Sequence, residues 1–282
     1  MAHQRTFQPF RELPWLLFAF FKTAILGGFA TFFLIAFLTF DEPLFQPRFF
    51  IYQKWFVGFW LVGLVTLIVG FLLFRQHRHS PEALAFPFRE EFLGLGIFVA
   101  GQTFILLGEQ VGFHLEILHF FLFLLALGVL LRSAQVYAFY RERPAWYHPT
   151  TAGSFVQGAI AIGISLSMMA FSEPSLQHAL CWILLIVLVM EILTIWSRLR
   201  HLNRTSVLTR QAVVMMLGTH LMLFAVRFIF GIIMPLVYLV WYLFIHPLPL
   251  IALPVMILVG ELSERILFFL TAQPISSHIS RN

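Results

Sequence analysis

Lys22, Glu191, Arg227, Glu261 and Arg265 are ionisable residues that each stand inside a run otherwise made of Leu, Ile, Val, Phe and small side chains. A charge in such surroundings is costly, so it either pairs with another charge or serves an ion, a proton or a ligand. Glu261 and Arg265 are four residues apart, on one face of a helix, where they can neutralise each other. The expectation is a structural ion pair that anchors the helices together, with Arg227 joining from a neighbouring span.

A second constellation lies between two apolar runs. Arg75-Gln76-His77-Arg78-His79-Ser80-Pro81 opens it and Arg89-Glu90-Glu91 closes it. It sets imidazole and carboxylate groups at the membrane surface, where a lipophilic quinol can place its head group. Quinol oxidation releases two electrons and two protons, so each hydroxyl needs a proton acceptor within hydrogen-bond reach, and His or Glu can serve. Composition alone favours a solvated basic loop. The apolar segment Ala83 to Phe88 between the two halves is suited to dip towards the membrane and form the mouth of a pocket.

A haem-binding membrane protein needs axial histidines that face each other across helices. His114 and His119 are five apart and point to different faces, and His220 stands alone. Cys181 is the single cysteine and lies within an apolar run, which excludes an internal disulfide and an iron–sulfur cluster held by this chain by itself. No haem and no metal are expected in the chain.

The elements that must position these groups are membrane helices. The chain has 282 residues, of which 60% are hydrophobic and 11% charged, with a mean hydropathy of +0.88. A soluble domain carries roughly a quarter charged residues. Thirty-five Phe and seven Trp suit a surface that faces lipid. A span needs about 20 apolar residues. The expected spans are 14–40, 55–74, 91–112, 115–131, 151–171, 179–196, 219–245 and 248–270, an all-α bundle of about eight helices in one domain, 1–282. The first is too long for a signal-peptide core and has no small-residue cleavage site, so it is expected to stay attached. The stretch from Gln211 to Ile245 is too long for one helix and too short for two; its first part reads as interfacial or as a tilted extension.

A sequence pI of about 9.8 would suggest nucleic acid in a soluble protein, but here the cations lie between the spans and set topology, so no nucleic-acid partner is expected. Let the N-terminus define side A. Arg5, Arg11, Arg75, Arg78, Arg89, Arg132, Arg141, Arg143, Arg198, Arg200, Arg204, Arg210 and Arg281 then fall on side A, and only Arg48 and Lys54 on side B. The positive-inside rule makes side A cytoplasmic.

Several motifs in order resemble the membrane anchor subunit of dimethyl sulfoxide reductase and related molybdenum-enzyme complexes. They are Glu12-Leu13-Pro14 with Gly27-Gly28-Phe29, and His77-Arg78-His79-Ser80-Pro81. Glu91 stands six residues before Ile97-Phe98. Val136-Tyr137 with Pro144-Ala145-Trp146-Tyr147 and Gly260-Glu261-Leu262 with Arg265 and Phe268-Phe269 complete the set. The resemblance implies a haem-free bundle in the bacterial inner membrane. It would anchor an iron–sulfur electron-transfer subunit and a molybdopterin catalytic subunit, and oxidise menaquinol drawn from the membrane lipid. His77 and Glu91 would be its proton acceptors, with Arg78, Glu90 and Tyr137 around the quinol, and Glu90 is the alternative to Glu91. It also puts side A on the outer face, against the charge distribution. Lys22 has no counterpart in the pattern. The rival readings are a secondary transporter and a b-type cytochrome.

Overall fold

The structure is a computed structural model that describes residues 9–39, 49–77, 85–111, 116–138, 149–245 and 248–271. Within lipid each backbone N–H and C=O must be satisfied inside its own segment, which leaves the helix as the solution for such apolar runs. Among the described residues every element is helical. The elements are α1 (Pro9–Thr39), α2 (Phe49–His77), α3 (Ala85–Gln110), α4 (Glu116–Ala138), α5 (Pro149–Ala170), α6 (Pro174–Thr205), α7 (Val207–Leu217), α8 (Leu221–Phe228), α9 (Met234–Phe244) and α10 (Ala252–Thr271), with a π-helical turn at Ile229–Ile233 joining α8 to α9. Among the described residues, seven helical segments are long and apolar enough to cross a membrane. The last expected span forms α10, a 20-residue helix that carries three charged residues, Glu261, Glu264 and Arg265.

The helix α1 is the hub, packing on α2, α4, α5 and α10. Its contact with α5 is close because the residues at the crossing are small: a Cβ added at Gly27 would come within 2.8 Å of the Ala159 Cα. Small residues let membrane helices approach in this way. The rings of Phe29, Phe32, Phe33, Phe56, Phe59 and Phe98 form the core beside that crossing.

Two departures from the expected spans matter for the site. The sixth span does not stop at 196 but runs on to Thr205, a length of about 48 Å against a hydrocarbon core of about 30 Å. Arg198, expected in a loop, is therefore on the helix and buried. The chain then restarts as α7 through a capping box, in which Ser206 Oγ accepts from the Thr209 N–H and Thr209 Oγ1 accepts from the Ser206 N–H. The seventh span is interrupted by the π turn. Pro235 has no N–H to give to the Gly231 carbonyl, and the helix widens there.

Candidate functional site

The buried charged residues among those described are Lys22, Glu91, Glu191, Arg198, Arg227, Glu261, Glu264 and Arg265, four cations and four carboxylates. They come from α1, α3, α6, α8 and α10. Following the chain from one crossing to the next puts all of them in the half of the bundle towards side A.

The first group is built around Lys22. This side chain is fully buried, and its Nζ lies 2.6 Å from Glu91 Oε1 while donating to Ser133 Oγ at 2.8 Å. The Ser133 hydroxyl in turn donates to the Val129 carbonyl at 2.8 Å. Each residue occupies its place for a simple reason. Lys22 is in the first half of α1 facing the bundle, Glu91 is one and a half turns into α3, and Ser133 is near the end of α4. Glu91 and Ser133 also line a cleft of about 330 Å³ between α3 and α4, shared with Glu90, Arg132, Leu124, Leu125, Gly128 and Val129. Glu90 and Arg132 pair at its edge at 3.0 Å. Leu124 and Gly128 are exposed on the outer face of α4, so the cleft opens towards lipid. Its wall is apolar and its floor carries a carboxylate, a hydroxyl and, behind them, an ammonium group.

The second group surrounds Arg227. Its Nη2 meets Glu191 Oε1, lies 3.1 Å from Glu261 Oε1 and 2.7 Å from Glu264 Oε2. Oxygens of the three carboxylates lie within 4.8 Å of one another. Such a trio is a donor set of the type that holds a cation, but here the guanidinium already stands among the oxygens. A metal ion would have to displace it. The glycines explain how Arg227 gets there. A Cβ on Gly231 would touch the Arg227 guanidinium and come 3.0 Å from the Gly260 Cα, and a Cβ on Glu261's neighbour Gly260 would strike Gly231. The π turn and α10 therefore meet backbone to backbone. Glu264 also feels the charges of Arg265 and Arg198. Arg198 sits over the Phe268 ring at 5.0 Å.

The two groups are electrically linked. Arg265 is near enough to Lys22 for their charges to repel, and near enough to Glu261 and Glu264 to be attracted by both. Its guanidinium is laid on the face of Phe155, 3.4 Å from the centroid.

Of the residues singled out in the sequence, Glu91 and Glu90 come together on the cleft, with Glu91 buried and Glu90 at the edge. Glu261, Arg265 and Arg227 also converge, with a different pairing: the close partner of Glu261 is Arg227, and Arg265 is turned onto Phe155. Tyr137 is placed away from the cleft, stacked on Phe155 at 5.0 Å and edge-on to Phe268 and Phe269. His77 ends α2; its side chain, all of Arg78 and all of His114 lie outside the described residues. His119 is buried against Phe56, 4.8 Å between rings, towards side B. The sequence reading had no partner for Lys22, passed over Ser133 and Glu264, and placed Arg198 in a loop. Glu264 carried a signal, since it is one turn from Glu261 in the same apolar run. Ser133 carried none.

No family model, curated protein or solved structure matches the chain. The fold itself defines the class: an all-α, multi-pass membrane protein with its buried charges gathered in one half of the bundle.

Proposed function

We propose that the chain is a quinol-oxidising membrane subunit, similar in role to the anchor subunit of dimethyl sulfoxide reductase that its motifs resemble. In this reading it sits in a bacterial inner membrane. It takes electrons from menaquinol, passes them to an iron–sulfur partner subunit, and anchors that subunit and a molybdopterin catalytic subunit. The observation that carries the reading is the cleft between α3 and α4, where Glu91 and Ser133 meet the apolar wall of Leu124, Leu125 and Val129. A quinol is an apolar tail with a ring bearing two acidic hydroxyls, and the cleft offers lipid access to a carboxylate that can accept one of those protons. In the complex, Glu91→Gln should lower quinol-driven turnover, per assembled complex, by about two to four orders of magnitude. Turnover driven by a dye that reduces the partner subunits directly should stay intact. Normal quinol turnover in both Glu91→Gln and His77→Ala would end this reading.

A second reading, a secondary transporter, rests on the Arg227 group. Three buried carboxylates stand beside a membrane helix that widens into a π turn at Ile229–Ile233, and such turns recur at functional sites. Proteoliposomes with a proton gradient across them separate the two readings: solute uptake or proton leak through the purified chain supports transport.

A further inference from the structure

We infer that Lys22 is a positioning residue for the cleft: it holds Glu91 in its ionised form and fixes Oε1, leaving Oε2 for the ligand. The inference rests on the quinol reading for its consequence, but the charge control itself does not. Glu91 is 4% exposed and lies at the inner wall of a cleft that opens to lipid. A carboxylate so placed with no cation nearby takes up a proton instead of staying charged. The described cation in contact with it is Lys22, at 2.6 Å; Arg132, the other cation of the cleft, is engaged by Glu90 at 3.0 Å on the outer edge. Lys22 is itself held from behind. Ser133 Oγ accepts a hydrogen bond from its Nζ at 2.8 Å.

The chemical consequence is a proton acceptor prepared before the ligand arrives. As a quinol is oxidised to quinone, one hydroxyl proton passes to the Glu91 carboxylate, the second proton leaves to another acceptor, and both electrons leave to the iron–sulfur partner. A neutral Glu91 has no room for that proton. Lys22 touches Glu91 and is not among the residues that line the cleft, so it acts through Glu91.

The test uses the full chain, purified, and the assembled complex. In the infrared spectrum Lys22→Met should gain a deuterium-sensitive carboxylic-acid C=O band that is missing from the wild type and from the double variant Lys22→Met/Glu91→Gln. A Lys22→Met chain that folds without gaining the band overturns the inference. Should Lys22→Met fail to accumulate, the double variant should restore accumulation, because no unpaired carboxylate then remains; a double variant that also fails overturns it. In the complex, Lys22→Met should lower quinol-driven turnover about a hundredfold, as Glu91→Gln does, and the double variant should lose no more than either. Full turnover in Lys22→Met together with loss in Glu91→Gln overturns the positioning role. If the band appears as expected but neither single variant affects quinol turnover, the quinol reading of the cleft fails while the control of Glu91 by Lys22 stands.

Discussion

Towards side B the buried interior is apolar and dominated by rings, while towards side A buried charges are set among the rings of Tyr137, Phe155, Phe268 and Phe269. Phe32 stacks on Phe171 at 5.3 Å and on Trp55 at 6.0 Å, and Phe29 lies 5.6 Å from Phe56 and 6.2 Å from Phe59. In the other half, Lys22, Arg198, Arg227 and Arg265 are set against Glu91, Glu191, Glu261 and Glu264. Both halves are buried, but they tolerate error differently. Ring packing is a sum of many small contacts, so its loss is graded. A buried ion network is balanced or it is not, because one missing partner leaves a charge with nothing to neutralise it. The difference also locates the chemistry: proton acceptors are concentrated in the ionised half, which is where the cleft opens.

The sharpest way to break this contrast is Arg227→Leu. It leaves Glu191, Glu261 and Glu264 facing one another without the guanidinium between them. The cost should exceed the roughly 3–5 kcal/mol of a single broken buried pair, read as loss of folded chain from the membrane. Wild-type levels of Arg227→Leu would show that pairing does not hold this half together.

Next comes the aromatic half, where Phe32→Ala should cost about 3 kcal/mol and Phe32→Leu less than about 1.5 kcal/mol. Thermal melts of the purified variants in detergent measure the difference. An all-or-none response at Phe32 would erase the distinction between the halves.

Glu261→Gln refines the picture of the ionised half. It keeps the side-chain shape and leaves Arg227 with two carboxylates, so its cost should be about 1–3 kcal/mol, well below that of Arg227→Leu. Equal losses in the two variants would mean that Glu261 carries the network on its own. The smallest effect is expected at the rim. Arg132 and Glu90 are 60% and 35% exposed, and Arg132→Ala should change stability by about 0–1 kcal/mol. A large loss there would make the rim pair part of the buried network.

The sequence was a good guide wherever a local property decides the outcome. Apolar runs near 20 residues give membrane helices whatever they pack against, because lipid offers the backbone no other partner. Spans one to five accordingly fall close to their expected places. The end of the sixth helix was less legible, because α6 continues through Arg198, Arg200 and Arg204, residues that read as loop charges. The helix simply outruns the bilayer core.

The ionisable residues inside the spans were also visible from the start, since charge in an apolar run is a local anomaly. Their pairing was not. Spacing offered Glu261 a partner on its own helix, Arg265, yet in the fold a guanidinium from α8 comes closer, admitted by the contact of Gly231 with Gly260. Lys22 had no partner in sequence because Glu91 is 69 positions away along the numbering and Ser133 is 111 away. Which buried charges neutralise each other depends on how the helices rotate and how closely they cross. Those quantities are set by the shapes of whole helix faces, such as the fit of Gly27 on Ala159. The sequence by itself therefore determined that the chain is a membrane bundle and which residues are too polar to be there without a purpose. Only the tertiary structure decided that Lys22 belongs to Glu91 and Arg227 to Glu191, Glu261 and Glu264, because Coulomb energy depends on distance in space and not on separation along the chain.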